Sequence, residues 1–124
     1  MLNIFAIFIG GGIGAVLRYI TGIIFLQILK TNLPIATLVV NIAGCFIIGL
    51  LYILFTQKLQ INPSIKLALT AGFCGGLTTF STFSLEIFEM IQNNQILYAV
   101  LYISISLFLG LLAVYFGGYC AKFL

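Results

Sequence analysis

The stretch that decides the fold is Gly72-Phe73-Cys74-Gly75-Gly76-Leu77-Thr78-Thr79-Phe80-Ser81-Thr82-Phe83-Ser84. It is uncharged and belongs to a longer apolar run, so it reads as part of a membrane-crossing helix. Its middle nevertheless forms helix poorly, because two adjacent glycines are followed by two β-branched threonines. A break near residues 75–79 would release backbone groups that lipid cannot satisfy. Membrane proteins carry such breaks where protein, water or a bound ion takes up the freed groups. Carbonyl oxygens suit a hard cation. With no carboxylate adjacent, a monovalent ion such as Na⁺ is the better fit.

Around this stretch the whole chain is lipid-like. Of its 124 residues 63% are apolar and 6% charged, against roughly 25% charged in a soluble domain. The charges are Arg18, Lys30, Lys58, Lys66, Glu86, Glu89 and Lys122, too few to wet a globule. A span needs about 20 apolar residues, and the uncharged runs allow four helices in one transmembrane domain over residues 1–124. The expected helices cover residues 3–28, 35–56, 66–92 with the break, and 96–120. The first run lacks the basic leading segment of a cleavable signal, so it is read as a retained span. The runs are long and do not alternate, which favours helices over the strands of a membrane barrel.

Four spans place Lys58, Lys66 and Lys122 on one side of the membrane and Lys30 on the other. That is a weak positive-inside bias, compatible with one orientation or with insertion both ways up and an antiparallel dimer.

The same composition excludes most enzyme chemistry. With no histidine or aspartate, a Ser-His-Asp triad or a histidine-bound metal cannot be built. Glu86 and Glu89 are three residues apart and share one helix face, as expected of a wetted helix end. Cys45, Cys74 and Cys120 match neither zinc nor disulfide spacing and read as small apolar residues. Gly10-Gly11-Gly12-Ile13-Gly14-Ala15 satisfies a dinucleotide-binding fingerprint, but the acid expected about 20 residues later is missing. Gly10 and Gly14 fit close helix packing instead. Arg18, within the first span, must reach an interface, a structural partner or a wet vestibule.

In the second span, Asn41 lies at membrane depth and needs a polar partner. Two readings stand side by side: glue between helices, or an uncharged donor facing a water-filled path. In the third, Phe80 and Phe83 share a helical face, with Ser81, Thr82 and Ser84 around them. An aromatic edge is electropositive, and hydroxyls and the Asn amide donate hydrogen bonds. A path so lined suits a small anion, held weakly enough to leave again.

Three motifs, Gly10-Gly-Gly-Ile-Gly-Ala-Val-Leu-Arg18-Tyr19, Thr37-Leu-Val-Val-Asn41-Ile-Ala-Gly44 and Gly72 to Phe83, resemble those of the Fluc/CrcB family of fluoride channels. The resemblance runs in order through three of the four helices. It implies an antiparallel, dual-topology homodimer in a bacterial cell membrane, which lets fluoride leave the cell passively and lowers its toxicity. It also implies a structural Na⁺ at the dimer centre, held by backbone carbonyls of Gly75 and Thr78. Phe80 and Phe83 would line the anion pathway, with Asn41 as a donor and Ser81 and Thr82 as further hydroxyls. Glu86 would shape a vestibule, and Tyr102, Ser104 and Ser106 offer hydroxyls on the fourth helix without a motif to fix them.

Two rival classes share the size of this chain. A small multidrug exporter couples to protons through a carboxylate in its first helix, and residues 1–29 contain none. A non-transporting assembly subunit would use the glycine-rich helices for packing alone.

Overall fold

The computed structural model describes residues 1–124 and is entirely helical. Helix α1 (Leu2–Leu29) ends where Lys30 turns into the left-handed region, its N–H closing on the Leu26 carbonyl. Helix α2 (Ile35–Lys58) widens into π-helical turns over Leu54–Lys58. Asn62 then starts α3 (residues 63–77), its side chain accepting from the Ser64 N–H, with Pro63 in the first turn where no amide is needed. Helix α3 is π-helical over Ala68–Cys74 and returns to α-helix over Gly75–Leu77. Helix α4 (Phe80–Gln92) and helix α5 (Ile96–Ala121) follow.

Three of these, α1, α2 and α5, are long and apolar enough to cross a membrane. The fourth segment is α3 and α4 in series. Each half rises about 20 Å, too short alone for roughly 30 Å of hydrocarbon. The break falls at Thr78 and Thr79, whose backbones are extended (φ −82°, ψ 157° and φ −150°, ψ 117°). Gly75 is helical (φ −64°, ψ −35°), so the β-branched pair, rather than the glycine pair, carries the interruption.

The glycines serve packing. Helix α1 lies along α3, and α2 along α5. A Cβ on Gly76 would strike the carbonyl of Gly11, and one on Gly10 the carbonyl of Ala68, so the two helices touch backbone to backbone. The α2–α5 seam is built alike, with Gly49 against Val114 and Gly117 against Phe46.

Two hydrogen bonds fix which ends meet. Ser64 Oγ donates to Asn3 Oδ1 at 2.6 Å, and Lys58 Nζ donates to the Lys122 carbonyl at 2.8 Å. Lys58, Lys66 and Lys122 therefore share one end of the molecule, while Lys30 and Glu89 belong to the other. Only 17 of the 124 residues are buried, so most of the apolar surface of the single chain faces outward.

Candidate functional site

The break is held open by Asn41. Its Oδ1 accepts from the Thr79 N–H at 2.8 Å, and its Nδ2 donates to the Thr79 carbonyl at 3.3 Å. In a continuous helix that N–H would bond the carbonyl of Gly75; here it is turned to α2 instead. The Gly75 carbonyl thus loses its helical donor. Gly44, one turn along α2 from Asn41, leaves room for this approach, since a Cβ there would collide with the Thr78 methyl. Asn41 is glue between helices, and one of its two amide hydrogens is spent on the Thr79 carbonyl.

Beyond the break, Thr79 caps α4. Its Oγ1 accepts from the Thr82 N–H at 3.2 Å and donates to Thr82 Oγ1 at 3.1 Å, with Ser81 Oγ 3.3 Å away. The cap aims the first turn of α4 so that Phe80 stands clear of its own chain, 80% exposed. Phe83 turns inward, its ring 6.0 Å from Phe80 and 5.0 Å from Tyr102, against the cluster of Met90, Ala99 and Tyr102.

Asn41, Gly75, Thr78, Phe80 and Phe83 line one cavity of about 460 Å³. Ser106 lines it too, and its hydroxyl is buried without a hydrogen-bond partner. Cys45 and Cys74, both free, complete part of the wall. The cavity is apolar over most of its surface, with Asn41, the orphan Ser106 hydroxyl and Thr70, Thr78 and Thr79 as its sparse polar residues.

Arg18 and Thr82 stand elsewhere. They line a separate cavity of about 490 Å³ between α1, α2 and α4, together with Thr37 and Thr79. Ser81 is exposed. The structure therefore groups Phe80, Phe83 and Asn41, and sets Thr82 on the far side of the Thr79 cap, toward Arg18.

Glu86 is more than a wetted carboxylate. Thr37 Oγ1 donates to its Oε1 at 2.6 Å and Tyr102 OH donates to its Oε2 at 2.7 Å. With Glu89 and Thr37 it also lines a cavity of about 520 Å³ at the Lys30 end. Rings and hydroxyls thus run in series from Phe80 through Phe83 and Tyr102 to Glu86. Thr37 was not singled out from the sequence, although its four-residue spacing from Asn41 puts both on one face of α2. Tyr102 and Ser106 have the same spacing on α5. Ser104 faces outward and donates to the Val100 carbonyl of its own helix.

The residues that could hold a cation are carbonyls, because no group of three or more Cys, His, Asp or Glu side chains comes together. Gly75 is exposed, with open space where a Cβ would stand. Its carbonyl and that of Thr78, released at the break, are hard oxygen donors of the kind Na⁺ takes.

Comparison with known proteins gives a consistent result. Residues 5–118 match the family described as CrcB-like protein, Camphor Resistance (CrcB). The fluoride-specific ion channel FluC of Flavobacterium psychrophilum is 48% identical over 122 residues, covering 98% of both chains. Proteins of the same name from Azobacteroides pseudotrichonymphae and Gloeothece citriformis are 41% and 44% identical. The matches cover 98% of this chain in each case, and 97% and 98% of theirs.

Proposed function

The chain belongs to the CrcB-like family of multi-pass membrane proteins, and from that premise we propose that it is a fluoride-specific channel rather than an enzyme or a pump. It lets fluoride leave a bacterial cell down its gradient and so lowers internal fluoride. The observation that carries the reading is the exposed Phe80 at a helix break, sharing a cavity with Phe83, Asn41 and the unpartnered Ser106 hydroxyl. An anion moving along this wall exchanges water for ring edges, an amide hydrogen and a hydroxyl, donors that are neutral and therefore release it again.

The working unit is an antiparallel homodimer of two oppositely oriented copies. What supports it is the outward surface: Phe80, Gly75 and the pathway cavity open on one side of the single chain, so a second copy is needed to close the path. Na⁺ fits the released carbonyls of Gly75 and Thr78. Bound there, it would supply fixed positive charge that offsets the freed backbone dipoles. Arg18 and Glu86, with Ser81 and Thr82 nearby, belong to the approaches rather than to the narrow part. Arg18 attracts the anion, and the Thr37–Glu86–Tyr102 bonds hold the carboxylate in place.

The test is fluoride efflux from liposomes carrying the purified protein. Efflux should proceed with fluoride and not with chloride, and without proton coupling. Phe80→Ile should reduce it by at least about 10-fold, equivalent to about 1.4 kcal/mol of barrier, while leaving the melting temperature of the single chain unchanged because the ring is 80% exposed there. Undiminished flux in that variant would take the phenylalanine pair out of the pathway.

A further inference from the structure

At the lysine-bearing end, the seam between α2 and α5 opens into a separate cleft of about 420 Å³. Its floor is apolar, with Gly49 seated on the Val114 backbone. Tyr52, Tyr115 and Tyr119 form its rim and are all exposed, and Lys122 closes its end. Lys58 lies outside the lining, but its Nζ donates to the Lys122 carbonyl at 2.8 Å, so a second ammonium group stands beside the residue that closes the cleft. Neither lysine has a Glu or Asp side chain near it: the only carboxylate side chains in the sequence are Glu86 and Glu89, and both line the cavity at the opposite end.

Each part of this cleft matches one part of a phospholipid. Tyrosines settle at the headgroup level of a bilayer, and lysines near a helix end reach to the same depth while their stems stay in apolar surroundings. The apolar floor between two membrane helices accommodates a hydrocarbon chain. Lys66 adds a third positive side chain to this end.

We propose that the cleft is a binding site for an anionic phospholipid. One acyl chain lies along the α2–α5 seam, and the phosphate faces Lys122 and Lys58. A lipid so held splints the two helices where α2 has already widened into π-helical turns.

Native mass spectrometry of the full chain, with phosphatidylglycerol or phosphatidylcholine added, tests this. The expected result is preferential retention of phosphatidylglycerol. The double variant Lys58→Gln/Lys122→Gln should weaken it at least about 10-fold, since each lysine near an anionic surface is worth about a factor of five. Its melting curve in phosphatidylcholine shows that it still folds. Lys66→Gln, at the same end but outside the cleft, should keep the preference.

Four results would overturn the proposal. Equal retention of the two lipids removes the headgroup. Equal loss in Lys66→Gln makes the effect one of diffuse surface charge. Binding of soluble glycerol phosphate as tight as that of the lipid removes the acyl chain. A shift of the monomer–dimer balance in the double variant, with the lipid preference intact, assigns the cleft to a second copy.

Discussion

The two halves of the third span, α3 and α4, have the same length to within a turn and opposite relations to the rest of the chain. Helix α3 is pressed against α1 so closely that Gly72 and Gly76 meet the α1 backbone directly. Helix α4 presents Phe80, Leu85 and Phe88 outward, and only its inner face, through Phe83, Ile87 and Met90, joins a cluster. One half is a foundation and the other an arm. The extended pair Thr78–Thr79 separates them, with Asn41 holding the junction. A rigid foundation with a projecting arm places an aromatic side chain in space that its own chain does not fill.

The largest effect is expected where the foundation has no slack. Gly76→Ala would drive a methyl group into the Gly11 backbone, and neither helix can yield without breaking the other contacts of Gly10 and Gly14. A loss of about 3 kcal/mol or more is expected, read as a lower denaturation midpoint in detergent or failure to recover folded protein. Gly12→Ala on the same helix meets nothing within 4 Å and serves as the control. If Gly76→Ala were as stable as Gly12→Ala, the distinction between foundation and arm would fail.

Most of this organisation was legible in the sequence, and the reasons differ by region. The long apolar runs mark α1, α2 and α5, with Arg18 the one charge inside α1, because a bilayer demands nearly continuous apolarity. The third span was legible as broken because glycines and β-branched residues at its centre are weak helix formers. The position of the interruption was less so. Propensity marks Gly75 and Gly76 as the weakest residues, yet both stay helical, with Gly76 packed on the α1 backbone, and the break falls at the threonines. The three-residue start of α3 before Lys66 follows from Asn62 and Pro63, a cap signal within a loop otherwise read as polar connection. Thr37 stayed hidden, and Tyr102 stood only as one of three hydroxyls on the last helix, because such a hydroxyl looks ordinary until a third helix brings Glu86 between the two.

A smaller effect is expected at the junction. Asn41→Ala deletes both bonds to Thr79 and leaves its N–H without a partner, a cost of about 2 kcal/mol. The vacated N–H can then return to the Gly75 carbonyl and extend α3 toward Thr79. Amide hydrogen exchange at Thr79 distinguishes the outcomes. Protection lost relative to the parent means an open, unpaired break; protection kept with a lower melting temperature means the helix has closed over it. In either case fluoride flux should fall with the change, because the direction of α4 depends on the break. Full flux and full stability in Asn41→Ala would show that Asn41 does not hold the junction.

The smallest expected effect on the chain itself, at Gly75, is the most informative about what lies outside it. Gly75 is exposed, its dihedral angles are helical, and a Cβ there meets nothing within 4 Å. Alanine is intrinsically better than glycine in such a position by up to about 1 kcal/mol, so in the isolated chain Gly75→Ala should be neutral or slightly stabilising, in contrast to Gly76→Ala one residue on. A surface with no internal reason for glycine acquires one if another copy meets it. If the released carbonyls of Gly75 and Thr78 hold Na⁺ between two copies, the added methyl group stands at that contact. The dimer fraction and the dependence of flux on Na⁺ should then both change, while the monomer melts as before. Unchanged dimerisation, together with equal flux in Na⁺ and in a large organic cation, would move both the contact and the cation away from the break. The neighbouring glycines would then differ only in their distance from α1.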